Sequence, residues 1–282
     1  MTRSPLPLPA AFATLQAGFI NGRDKMARLQ IRQFPCLSDN YGVLARDPES
    51  GSVIAIDVPD AAPYLAELAE TGWRLTHILI THHHWDHVQG LVPLKEATGA
   101  RVIGPGLSRD KISGLDEVVE DGDIFHIAEL KVEAISTPGH TLDQISWWFE
   151  QAGVIHTGDT LFSLGCGRVF EGDMEMMWAS LDKLNRRLPD DTVIYCGHEY
   201  TLSNGRFALS VDPDNAALKE RVAEVERLRA EHMATLPTTM ERERATNPFL
   251  RAGDPALAAA LGMAGASPAE VFAELRGRKD RF

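Results

Sequence analysis

Thr81-His82-His83-His84-Trp85-Asp86-His87 follows directly on an apolar run, His77-Ile78-Leu79-Ile80. Neutral imidazole nitrogens and carboxylate oxygens are what proteins offer to Zn²⁺, Fe or Mn²⁺, and five such groups fall between positions 82 and 87. Were the segment helical, His83 and His87 at i, i+4 would share a face. The apolar run instead reads as a strand and residues 88–98 as a helix, which puts the cluster in a strand-to-helix loop. There His82 and His84 can converge on one metal, while Asp86 and His87, at the helix entrance, can reach a second. The blander alternative is a polar surface loop or a histidine-rich tract that binds metal casually.

Three further segments argue against that alternative. Thr137-Pro138-Gly139-His140-Thr141, Thr157-Gly158-Asp159-Thr160 and Cys196-Gly197-His198-Glu199 share one grammar, a β-like run ending in Gly beside a ligand-type residue. Any one alone is more often a satisfied turn residue or a cap. With the loop they supply seven donors, more than one tetrahedral site uses. Two metals sharing a bridging carboxylate would use them all.

Around these segments the chain supplies short β-rich runs at 29–34, 42–46, 52–57, 77–81, 101–104, 130–137, 144–150, 153–157 and 192–196, most of them bounded by Gly, Pro, Asp or Asn. Helical patterns lie between them at 61–70, 88–98 and 174–187. Strands outnumber helices and often follow one another directly, so two mixed sheets packed face to face with helices outside fit better than a βαβ alternation. After about Leu202 the strand signal disappears. Helices are expected at 215–233, 255–262 and 268–277. The division expected is a catalytic domain over 26–201 and a helical domain over 202–282. Residues 1–25, with three prolines by position 9 and no acidic residue before Asp24, read as a leader that belongs to no fold, with Met26 as an alternative start.

The composition is that of a globular protein: 282 residues, 44% hydrophobic and 24% charged. Forty acidic against 28 basic residues give a formal charge of −12, which argues against nucleic acid as a partner. Three scattered cysteines, Cys36, Cys166 and Cys196, make no disulfide framework and point to a reducing, cytoplasmic setting. A mitochondrial location would follow only if the first 25 residues were a transit peptide. No apolar run approaches a membrane span, so no membrane partner is expected, and the chain is read as a monomer.

The pattern His82, His84, Asp86, His87 resembles the His-x-His-x-Asp-His hallmark of the metallo-β-lactamase superfamily. The resemblance implies an α+β fold, a four-layer αβ/βα sandwich, here with a C-terminal all-α domain. Carried over position by position, it implies that His82, His84 and His140 hold one metal, that Asp86, His87 and His198 hold the other, and that Asp159 bridges them. His83 and Trp85 occupy the variable positions. Two divalent ions are implied, zinc first, with iron or manganese suiting the same donors. Thr81 is expected to support the loop by hydrogen bonding.

Finer motifs narrow the substrate. Asp39-Asn40-Tyr41, the run from Gly165-Cys166-Gly167-Arg168 to Val169-Phe170-Glu171-Gly172, His198-Glu199-Tyr200-Thr201, Asn247-Pro248-Phe249-Leu250-Arg251 and the C-terminal 276–282 segment are similar to glyoxalase II, the hydroxyacylglutathione hydrolases. That family hydrolyses S-D-lactoylglutathione and related 2-hydroxyacyl thioesters to glutathione and a 2-hydroxy acid, the second step of methylglyoxal detoxification. The matching glutathione-binding positions are Arg168, Phe170, Tyr200, Arg276 and Lys279. Arg276 and Lys279 also fit the positive end of a last helix, favoured by its dipole. An acidic protein needs a local basic patch to bind an anionic thiol peptide, which favours the binding role. Phe170 departs from the tyrosine often found there and forfeits one hydroxyl hydrogen bond.

The chemistry expected is attack on the thioester by a hydroxide bridging the metals, with Asp86 and Asp159 as the residues that orient and hold it. A thiolate leaves readily, so no general acid is required. Cys166 and Cys196 are redundant as nucleophiles beside such a centre. Two rivals remain: a glutathione persulfide dioxygenase using one iron on His82, His140 and Asp159, and a non-catalytic metal-binding scaffold. A nuclease is disfavoured by the charge.

Overall fold

The computed structural model describes residues 29–282, so the leader assigned to 1–25 and the start at Met26 lie outside the described residues. The chain opens with β1 (Gln30–Cys36) and β2 (Asn40–Arg46), paired antiparallel along their whole length, then β3 (Val53–Ile56) and helix α1 (Ala61–Thr71). Next come β4 (Leu75–Leu79), α2 (Trp85–Val88), α3 (Leu91–Thr98), β5 (Arg101–Pro105) and β6 (Glu117–Val119). These strands form one six-stranded sheet in sequence order, antiparallel from β1 to β3 and parallel from β3 to β6.

The second sheet begins with β7 (Ile124–Ile127), β8 (Leu130–Ser136), β9 (Ile145–Phe149) and β10 (Val154–His156). A small hairpin, β11 (Leu161–Phe162) with β12 (Gly165–Cys166), precedes α4 (Met174–Arg187) and β13 (Val193–Tyr195). The remainder is α5 (Thr201–Val211), α6 (Ala216–Ala230), β14 (Thr238–Thr239), α7 (Met240–Thr246), α8 (Pro255–Ala260) and α9 (Pro268–Asp280). The sheet order is β14-β13-β10-β9-β8-β7.

Three apolar clusters account for the layering. Alternate side chains of both sheets, among them Val43, Ile54, Leu79, Val132, Trp147 and Phe149, meet face to face. The outer face of the first sheet packs Leu44, Ala55 and Ile78 against Tyr64 of α1 and Leu94 of α3. The outer face of the second packs Ile135, Trp148 and Ile155 against Leu181 and Leu184 of α4, Phe249 of the α7–α8 turn and Phe272 of α9. Neighbouring tryptophans thus serve different layers, Trp147 between the sheets and Trp148 outside, because successive strand side chains point to opposite faces. This is the α+β four-layer arrangement expected.

Helix starts follow local chemistry. Asp60, Asp173 and Asn215 accept backbone amides at the starts of α1, α4 and α6, and Ser267 with Glu270 forms a capping box on α9. Two expectations need correction. The helix expected over 88–98 runs only over Leu91–Thr98, as α3, and a separate short helix, α2, begins at Trp85 and carries Asp86 and His87. Strand does not end at Leu202: β14 pairs with β13 and closes one edge of the second sheet, from a two-residue run too short to show a period.

Candidate metal centre

The loop between β4 and α2 leaves Thr81–His84 without helical structure, and α2 begins at Trp85, so His83 and His87 do not share a helix face. His82, His84 and His140 bring one nitrogen each into a common space, as do Asp86, His87 and His198 with their donor atoms. Asp159, at the turn after β10, lies between the groups: one carboxylate oxygen is 3.5 Å from His140 Nε2 and 3.2 Å from His198 Nε2, and the other is 3.5 Å from His87 Nε2. All seven expected residues therefore converge. Gly197 makes the closeness possible, since a Cβ there would stand 2.5 Å from Asp159 Oδ1 and 2.7 Å from His87 Cε1.

The far side of each ring explains its orientation. Asp57, at the end of β3, accepts from the Thr81 amide at 2.7 Å, the Thr81 hydroxyl at 2.8 Å and His87 Nδ1 at 2.8 Å. Because the Thr81 hydroxyl donates to Asp57, its oxygen accepts from His82 Nδ1 at 2.9 Å. His140 Nδ1 donates to the Arg168 carbonyl at 2.8 Å and His198 Nδ1 to Asp39 at 3.0 Å. Four Nε2 atoms are thereby turned inward, the nitrogen each ring offers a metal once it is neutral. His82 Nε2 and Asp159 Oδ1 are buried with no hydrogen-bond partner. His87 and His198 present Nε2 to each other at 3.3 Å, and His84 Nδ1 lies 3.0 Å from His140 Nε2. Two nitrogens at that distance share either a proton or, in its place, a metal cation. Tetrahedral Zn–N bonds place neighbouring ligand atoms about 3.4 Å apart, a spacing these donors match.

The electrostatics agree. Burial, then the neighbouring His87, hold His82 well below the usual imidazole range, and burial lowers His84 and His140 as well. Burial opposes charge on Asp159, but His198 and His87 overcome it and hold the carboxyl well below its ordinary value. Burial likewise opposes charge on His87, and Asp159 with Asp57 overcomes it, raising that ring well above the usual range. Asp159 likewise raises His198 against its burial. A buried carboxylate that draws protons onto His87 and His198, beside three imidazoles held neutral, is a donor set in which a divalent cation can replace those protons, and the residues present fit one.

The expected substrate residues frame this centre in different ways. Phe170 is 61% exposed, with its ring 5.3 Å from that of His140 and 5.9 Å from that of His84. Tyr200 stacks on His198 at 4.7 Å on the other side. Arg168 is exposed, 3.5 Å from Asp280 and above the Phe170 ring. Arg276 is buried: it donates to the Cys166 carbonyl at 3.0 Å and to Asp280, so α9 grips the segment carrying Arg168 and Phe170. Lys279 donates to the Ser203 carbonyl at 3.2 Å and lies over Phe207 and Phe282. Burial, then Arg276, lower its pKa to about 8. Burial pushes the Cys166 thiol up to about 11 and Cys196 higher still, so neither is a thiolate at neutral pH.

Asp57, Asp39 and Asn40 escaped assignment from sequence. Asn40 donates to Asp86 Oδ2 at 3.1 Å and steadies that carboxylate. A signal for Asp57 was present, since Val53–Ile56 is another apolar β-run ending in a ligand-type residue. Thr81 supports the loop as expected.

Comparisons with known proteins cover both halves. The Metallo-beta-lactamase superfamily matches residues 47–198, and the Hydroxyacylglutathione hydrolase C-terminus family matches residues 199–282. The hydroxyacylglutathione hydrolase of Mesorhizobium japonicum is 53% identical over 254 residues, 90% of this chain and 99% of that protein. Its counterpart in Brucella ovis is 55% identical over 255 residues, with the same shares. Among solved structures, ETHE1 from Myxococcus xanthus is 27% identical at a TM-score of 0.62, covering 88% of this chain and 89% of that one. Identity above one half, continuous through the metal-donor half and the helical half alike, makes this chain a member of the hydroxyacylglutathione hydrolase family within the metallo-β-lactamase superfamily.

Proposed function

We propose that the protein hydrolyses S-2-hydroxyacylglutathione thioesters, S-D-lactoylglutathione foremost, to glutathione and a 2-hydroxy acid. The observation that carries this reading is the grip of α9 on the 165–170 segment through Arg276, which joins the basic end of that helix to a divalent-metal donor cluster. His82, His84 and His140 would hold one ion, Asp86, His87 and His198 a second, and Asp159 both. Zinc suits this nitrogen-rich set best, with iron or manganese as substitutes. Bound divalent ions supply acidified water and polarise the thioester carbonyl.

The chain's own residues do the rest. Asn40 holds Asp86 with its carboxylate toward the reacting space, where it can orient water and accept a proton. Phe170 and Tyr200 flank the centre with aromatic surface, and Tyr200 keeps its hydroxyl proton because burial, then Asp39, raise its pKa. Arg168 and Lys279 offer positive charge to the glutathione carboxylates, while Arg276 braces the segment between them. The functional division is a catalytic domain over 26–201 and a substrate-binding domain over 202–282. Three free, buried cysteines support a cytoplasmic enzyme, and the monomer reading is tested by mass in solution.

The test is to measure metal content and then follow S-lactoylglutathione hydrolysis beside oxygen uptake with glutathione persulfide. Hydrolysis that His84→Ala and Asp159→Ala abolish is the expected result. Oxygen uptake without thioester cleavage, or no turnover by fully metal-loaded protein, would overturn the reading.

A further inference from the structure

His83 points away from the centre that its neighbours build. Its Nδ1 lies 2.9 Å from Asp143 Oδ1 and its Nε2 3.3 Å from Glu171 Oε1. Each carboxylate carries a second contact that ties in another segment. Asp143, buried, also accepts from the Ser108 hydroxyl, and Glu171 Oε2 accepts from the Leu142 amide at 2.9 Å. Lys111 stands 3.7 Å from Glu171. These three groups have the composition of a metal site. They do not have its availability, because His83 directs one nitrogen to each carboxylate and the remaining oxygens already take protein donors.

The cluster instead joins three segments that surround the metal donors: the 81–84 loop, the 141–144 turn and the 168–172 segment. Backbone bonds run the same way. The amides of Phe170 and Glu171 both donate to the His140 carbonyl at 3.3 Å, and that of Gly172 donates to Gly139 at 3.2 Å. Those are long bonds in a segment that projects Phe170 into solvent, so the side-chain tie at the next residue, Glu171, carries much of its placement. We infer that His83, Asp143 and Glu171 form a clamp that positions Phe170 and Arg168 for glutathione, separately from metal binding. All three are positioning residues, acting through the segment they hold. The inference rests on the thioester hydrolase reading for the ligand it names.

The test uses metal-loaded enzyme carrying Glu171→Ala, Glu171→Gln, His83→Ala or the first and third together. Metal content, glutathione affinity by calorimetry, and KM and kcat for S-lactoylglutathione are measured. Loss of the clamp raises KM and the glutathione Kd about tenfold, with kcat within about threefold and metal content unchanged. Glu171→Gln keeps a carbonyl acceptor and recovers most of the loss. The double variant is no worse than either single one, since each already opens the clamp. Unchanged KM and Kd in Glu171→Ala, additive losses, or metal loss with a fall in kcat would overturn the proposal. Should the unaltered protein bind glutathione but fail to cleave the thioester, the activity reading fails, while the Kd comparison still decides the clamp.

Discussion

Asp57→Asn separates metal affinity from fold more cleanly than any change to a donor. The residue sits at φ 54°, a left-handed conformation that asparagine tolerates, so the backbone gives no reason for strain. The carboxylate now takes three donors: the Thr81 amide, the Thr81 hydroxyl and His87 Nδ1. In asparagine one carbonyl oxygen can keep the amide, and the NH₂ then faces the hydroxyl and the imidazole N–H, donor against donor. The hydroxyl must turn, releasing His82, and His87 is driven toward the tautomer whose Nε2 carries hydrogen. Both groups of metal donors are touched at once, through His82 in one and His87 in the other. Loss of such an outer partner costs 10–100-fold in metal affinity, about 1.4–2.7 kcal/mol. Chelator competition on dialysed protein measures it, and Asp39→Asn, which hydrogen-bonds one metal donor, His198, serves as a milder control. Wild-type affinity with full activity in Asp57→Asn would refute the assignment of ring orientation to this residue.

Three other outcomes follow from the geometry. Lys279, with its pKa lowered to about 8, loses its charge as pH rises through that value; KM should climb between about pH 7 and 9, and Lys279→Gln should start high and lose the trend. Gly197→Ala puts a methyl 2.5 Å from Asp159 Oδ1, so metal content should fall sharply while the circular dichroism spectrum is retained. Glu243, fully buried on α7, accepts from Ser163, the Leu164 amide, Thr238 and Asn247; Glu243→Ala should cost roughly 3 kcal/mol in denaturant unfolding and loosen the 161–166 hairpin, whereas a loss below about 0.5 kcal/mol would contradict its role as the acceptor there.

The donor residues were legible in the sequence because metal chemistry draws on few residue types and this fold presents them at strand ends. His82 and His84 on one loop and Asp86 and His87 on the short helix that follows lie within six residues, and His140, Asp159 and His198 each stand beside a glycine that lets backbone come close. The strand runs and the capped helices were readable for a similar reason: alternation, 3.6-residue spacing and a first-turn Asp, Asn or Ser are local properties. What only the tertiary structure decided is what long-range packing decides. Asp57, 24 residues from Thr81 and 30 from His87, selects the face each imidazole turns inward. Asp39, 159 residues from His198, does the same across the two sheets. Arg276, expected to meet substrate, lies buried against the Cys166 carbonyl, 110 residues away, because the end of α9 folds back onto the β12 segment. Spacing along a chain names the groups that can bind a metal or an anion. Which lone pair faces the metal, and which cation stays free for substrate, depends on hydrogen bonds that exist only once the sheets and helices have closed on one another.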